Sequence, residues 1–78
     1  MAFNALKRII NPAYRVVVDM EHGAIFIQRQ NFWGKWKYLE DALGNMEFSF
    51  VHHAFSYIDV MNERRNYSVS LLIRFKGE

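Results

Sequence analysis

His52, Ser56 and Asp59 are spaced four and three residues apart, so a helix would carry them on one face. A hydroxyl, an imidazole and a carboxylate are the parts of a nucleophilic triad. A triad also needs a pocket and donors for an oxyanion, and a polar stripe on an exposed helix face supplies neither. A solvated face is the simpler expectation. His52 and His53 are adjacent, and on a helix neighbouring side chains diverge by about 100°, which keeps the two imidazoles from one metal ion. His22 stands before Gly23 and is explained by a turn. The sequence therefore predicts no catalytic residue, no metal site and no cofactor: the chain reads as a protein that is not an enzyme.

The other concentration of chemistry is QNFWGKWKYL, residues 30–39. It sets Phe32, Trp33, Trp36 and Tyr38 around Gly34, with Lys35 and Lys37 between them. Each such ring brings about 150–250 Å² of contact area. Thirteen of 78 residues are Phe, Trp or Tyr, more than a thin core is expected to hold. Two readings compete. The rings can wrap the rim of the core, or they can form a protein-binding patch, in which Trp, Tyr and Arg are the usual anchors. The second reading assigns partner contact to Phe32, Trp33, Trp36 and Tyr38, with Lys35, Lys37 and Arg29 on the rim. If strand alternation runs through this stretch, Phe32 and Trp33 point to opposite faces. Aromatics among lysines also suit single-stranded nucleic acid, where rings stack on bases.

Charge argues against nucleic acid as the main partner. The formal net charge is +2, and the cations are scattered in pairs where dedicated binders gather them on one face. One such pair, Arg64-Arg65, reads as a complement to a helix C-terminus. Seventy-eight residues allow one domain spanning 1–78. Half of them are apolar, which excludes intrinsic disorder. Without cysteine there is no disulfide or thiolate site, which fits a reducing compartment. No run approaches the roughly 20 apolar residues of a membrane span, and Lys7 and Arg8 fall inside the first apolar run, unlike a signal peptide. The expected location is the cytosol.

Several elements must position these residues. Phe3, Leu6, Ile9 and Ile10 form a stripe that predicts a helix over residues 2–10, ended by Asn11-Pro12. Residues 13–31 read as a hairpin rich in β-branched residues, turning at His22-Gly23. That centre sets Met20 opposite Ile25, Val18 opposite Ile27 and Val16 opposite Arg29. Arg15, Val17, Asp19, Phe26 and Gln28 then face the other way. Residues 35–39 predict a third strand, and EDALGN a loop. Residues 48–64 predict the main helix, capped by Ser49 or Asn45, with Phe48, Val51, Phe55, Ile58 and Met61 as its core stripe and Phe50, Ala54 and Tyr57 beside it. In residues 67–75, Tyr67, Val69, Leu71, Ile73 and Phe75 alternate with Ser68, Ser70, Leu72 and Arg74. That pattern predicts an antiparallel strand covered on one side, and its low charge invites pairing with a second copy if it lies at an edge.

The fold class expected is α+β: a small two-layer domain, an antiparallel sheet of three to four strands with helices on one face, in the order α-β-β-(β)-α-β. Ile27-Gln28-Arg29, the aromatic run 32–39 and Ala54-Phe55-Ser56-Tyr57-Ile58 resemble a kind of small accessory protein encoded by bacteriophages and prophages, over residues 14–62. The resemblance implies a protein acting in the bacterial cytosol by binding another protein. Three functions follow as expectations. The leading one is a module that binds and occludes a host or viral protein. The others are a small nucleic-acid-binding protein and a self-associating assembly component, including a homodimer.

Overall fold

A computed structural model describes residues 11–77. The helix expected over residues 2–10 lies outside that range. Strands β1 (Ala13–Asp19) and β2 (Ala24–Gln30) form the hairpin, and β3 (Trp36–Tyr38) adds to β2. A miniature ladder follows, β4 (Glu40–Asp41) against β5 (Gly44–Asn45), where a loop is expected. Helix α1 (Val51–Met61) and strand β6 (Ser68–Arg74) complete the chain.

The main sheet has the order β3-β2-β1-β6. The three strands β3, β2 and β1 are antiparallel, as expected, but β6 runs parallel to β1. The sheet is therefore mixed. Helix α1 returns the chain to the end where β1 starts, so β6 enters beside Ala13 and runs the same way. The Ser68 amide donates to the Pro12 carbonyl at 3.0 Å, and the Met20 amide to the Arg74 carbonyl at 2.8 Å, one at each end of this ladder.

The hairpin register differs from the expected one. Val16 lies opposite Ile27 and Val18 opposite Ile25. The cause is Asp19. Its Oδ1 accepts from the amides of Glu21 (3.0 Å) and His22 (3.2 Å), and its Oδ2 meets His22 Nδ1 at 2.8 Å. An aspartate that captures amides two and three residues on makes its own turn. The loop thus takes in Met20 to Gly23, and Gly23 closes it at φ 63, a backbone position that suits a residue without Cβ. Each cross-strand partner moves by two residues, an even number, so both faces keep the side chains assigned to them.

One face holds the core. Tyr14, Val16 and Ile27 pack against Ala54 and Ile58 of α1, with Ile25, Leu39, Phe48, Val51, Phe55 and Tyr67 around them. The helix is shorter than residues 48–64. Its N-cap is Phe50, no side chain caps it, and its last turn carries no basic residue, so Ser49, Asn45, Arg64 and Arg65 do not play the expected end roles. Phe48 joins the core from a bridge to Ile25 instead. Phe50, Tyr57 and Met61 are exposed, because a helix of 11 residues lays only one narrow stripe on the sheet. Asn62, buried behind that stripe, is satisfied on both sides. Its Nδ2 donates to the Ile58 carbonyl at 2.9 Å and its Oδ1 accepts from the Tyr14 hydroxyl at 3.5 Å.

The largest departure is β6. Val69, Leu71, Ile73 and Phe75 were expected inside, yet they are between 37% and 58% exposed. Helix α1 sits over β1 and β2, and β6 is an edge strand beyond its reach.

The opposite face carries no described helix, yet Val17 is 1% and Gln28 4% exposed. Long side chains lie down over them. Arg15 Nε donates to Gln28 Oε1, and the Arg15 guanidinium sits 4.4 Å from the centre of the Trp36 ring. Phe26 and Tyr38 meet edge to face at 5.6 Å. A planar cation over an indole is held electrostatically as well as by contact.

Candidate partner-docking surface

The residues singled out for partner contact divide into three groups. Trp36 and Tyr38 alternate with Lys37 along β3, as expected. Their rings face the helix-free side and are half-buried, Trp36 beneath Arg15 and Tyr38 against Phe26. These two belong to the rim of the fold. Arg29 and Lys37 face the helix side, directly opposite each other across β2 and β3. Phe32, Trp33 and Lys35 stand at the tip between the strands and are exposed.

That tip is braced. Asn31 Oδ1 accepts from the amides of Trp33 and Lys35, both at 2.9 Å, while the Asn31 amide donates to the Lys35 carbonyl at 2.8 Å. The Gly34 amide reaches the Asn31 carbonyl at 2.9 Å, and Gln30 Nε2 donates to the Gly34 carbonyl at 3.0 Å. Gly34 turns the chain at φ 84. Strand alternation therefore stops at Asn31. Phe32 and Trp33 do not point to opposite faces as expected. Their rings touch edge to face, 5.1 Å apart, with Trp33 79% and Phe32 46% exposed. Together they make one aromatic knob on a stiff loop.

Beside the knob lies an open concavity of about 390 Å³, between Arg29, Asn31, Phe32, Lys37 and Leu39. The Arg29 guanidinium is placed over the Tyr14 ring at 5.7 Å. Among the described residues, neither Arg29 nor Lys37 has an ion-pair partner. Like charges directly opposite on adjacent strands oppose pairing, so the protein tolerates a local cost at this spot.

On the histidine face the His52 and His53 rings do not diverge as expected: their centres lie 4.3 Å apart, with the Phe50 ring against both. His52, Ser56 and Asp59 are exposed, and the Asp59 carboxylate accepts a hydrogen bond from the Tyr67 hydroxyl at 2.9 Å. That bond favours the neutral phenol and raises the Tyr67 pKa above its ordinary value. Among the described residues no group of three His, Cys, Asp or Glu side chains is placed to hold a metal ion. No described helix is long and apolar enough to cross a membrane.

Sequence reasoning missed Asn31, Arg15 and Arg74. An asparagine before an aromatic-Gly turn signals a side-chain-capped loop, so Asn31 was open to inference. The expected register set Arg15 opposite Gln30, so its contact with Gln28 follows only from the turn that Asp19 makes. Arg74, which contacts a residue 36 positions away, left no local signal. Compared with family models, curated proteins and solved structures, the chain matches none.

Proposed function

We propose that the chain is a small non-enzymatic binding module of the phage-accessory type, which docks on a host or viral protein in the cytosol and occludes part of its surface. The observation that carries this reading is the Phe32–Trp33 knob: two contacting rings, exposed, on a loop closed by its own hydrogen bonds. A large aromatic that is already ordered loses little conformational freedom on docking, and Trp33 leaves most of its surface in water. Lys35, Arg29 and Lys37 surround the knob as a polar rim, the usual arrangement around a buried anchor. Trp36 and Tyr38 support the strand behind it.

The test is capture by the immobilised protein from a bacterial lysate, with the captured protein identified, purified and rebound. Trp33→Ala and Phe32→Ala are expected to keep the fold and weaken rebinding at least tenfold. Rebinding unchanged in both variants would remove the knob from the interface.

A second reading, self-association, is favoured by one observation. Edge strand β6 presents Val69, Leu71 and Ile73 in a row with Arg74 as its one charge. Two copies aligned along β6 would extend the sheet and set their apolar rows side by side.

A further inference from the structure

Resting on the docking reading, we infer that the concavity beside the knob is a receptor for a carboxylate of an acidic peptide segment in the partner. The carboxylate lies between Arg29 and Lys37, and an apolar neighbour lies against Phe32 and Leu39.

Three observations converge on this chemistry. First, Arg29 and Lys37 are exact cross-strand partners, so their Cβ atoms stand about 4.5–5.5 Å apart. Two cations at that spacing can share one carboxylate, and its arrival converts a repulsion into two charge-assisted hydrogen bonds. Second, no carboxylate of the described residues pairs with either cation, although Glu40 and Asp41 come just one residue after β3. The chain supplies acids nearby and does not use them here, which leaves both donors available to a ligand. Third, the Arg29 guanidinium rests over the Tyr14 ring, so one of the two donors is placed before a ligand arrives. The concavity adds an apolar wall from Phe32 and Leu39.

Peptide is favoured over nucleic acid by number and layout. A nucleic-acid strand presents a run of phosphates and is met by a line of cations. Here two cations oppose each other across a strand pair, and Lys35 stands alone at the tip. Arg64 and Arg65, which follow α1, and Arg74 and Lys76, at and after the end of β6, are exposed basic pairs that line no part of the concavity. Two cations next to a two-ring anchor match a short segment in which acidic and apolar side chains alternate.

The experiment is a nuclear magnetic resonance titration of the intact chain with the blocked pentapeptide Gly-Glu-Leu-Glu-Gly, its Gly-Gln-Leu-Gln-Gly counterpart, and a ten-nucleotide thymidine strand. The glutamate peptide is expected to shift the amides of residues 29–39, at least tenfold more tightly than the glutamine peptide and less so as salt rises. Lys37→Gln is expected to weaken it at least fivefold and Arg29→Gln/Lys37→Gln to abolish it, with dispersed spectra in both. Equal response to the two peptides, no response, shifts elsewhere on the chain, or tighter binding of the thymidine strand would each overturn the assignment. The docking reading fails separately. If Arg29→Gln/Lys37→Gln still rebinds the captured partner while Trp33→Ala does not, the knob stands and the carboxylate receptor falls. If Trp33→Ala and Phe32→Ala rebind as the unchanged protein does, the docking reading itself falls.

Discussion

Arg74 Nη1 donates to the Tyr38 hydroxyl at 3.4 Å, so a side chain of β6 meets one of β3 across the whole width of the sheet. The two strands are its opposite edges. Between them the layer continues through Phe26 against Tyr38 and Arg15 against Trp36. A single layer of arginines and rings thus seals Val17 and Gln28 on the side that α1 does not cover. Arginine suits this task, since its stem covers apolar surface while its planar head stays wet or stacks.

The two tryptophans are expected to separate on this basis. Trp36→Ala removes the ring beneath Arg15 and opens the Gln28 site, at a cost of about 1–3 kcal/mol. Trp33→Ala removes a side chain that is mostly in water, and surface changes of that kind cost within about 0.5 kcal/mol. Urea unfolding of the two variants checks this. Equal midpoints would show that the covering layer does not stabilise the sheet.

Tyr38→Phe isolates the Arg74 contact. The bond is long and exposed, so its loss is expected to cost less than about 1 kcal/mol. An Arg74→Ala change is expected to cost more, because the arginine stem also shields the face. A double-mutant cycle on the two positions measures the coupling directly, and a coupling near zero would assign Arg74 to packing alone.

Ile58 is fully buried against Tyr14, Val16 and Ile27. Ile58→Ala leaves a cavity and is expected to cost about 2–5 kcal/mol. In a chain of this size that is much of the total stability. Met61→Ala, one turn further along the same helix but exposed, is expected to cost far less. Thermal unfolding followed by circular dichroism distinguishes them. Similar midpoints would place the core elsewhere.

The helix-side core was legible because its signals are local. Hairpin, third strand and main helix each carry a period of 2 or 3.6 over several residues, and Ile58, Val16 and Ile27 fall where those periods put them. The register was not legible, since Asp19 competes with the backbone for the Glu21 and His22 amides. Nor was the direction of β6. Its alternation shows which side chains share a face, but whether that face is covered depends on strand order, and an edge position leaves a good core pattern open. The aromatic stretch was legible as a concentration of rings, but not the way the fold divides it. One glycine-centred turn broke the alternation and sent Trp36 and Tyr38 to support the sheet while Phe32 and Trp33 stayed outside.

The open row on β6 is expected to make the protein associate at high concentration. Leu71→Lys puts a charge in the middle of that row, and Ile73→Lys puts one near its end. Both positions are already exposed, so the fold is expected to survive. Sedimentation velocity over a range of concentrations is expected to show association in the unchanged protein and a monomer in each variant. A monomer throughout for the unchanged chain would remove β6 as a self-docking edge.

The turn between β1 and β2 is expected to respond to pH through two groups. His22 has its pKa raised, first by the side-chain bond to Asp19 and then by the charges of Asp19 and Glu21. It binds its proton more tightly folded than unfolded. Its contribution is therefore complete below the ordinary histidine value of 6.5 and is lost as pH rises through its folded value. Asp19 has its pKa lowered, chiefly by the same bond. Its contribution is complete above its ordinary value of 3.8 and is lost as pH falls through its folded value. The pair therefore holds the turn best between about 4 and 6.5, bounded by those ordinary values. Both side chains meet solvent, so the effect is local and is read in the turn itself rather than in global unfolding. Titration of the His22 ring signals is expected to give a midpoint above 6.5, and Asp19→Asn is expected to bring it back down. A His22 midpoint that ignores Asp19→Asn would mean that the carboxylate organises the loop through the amides of Glu21 and His22 alone.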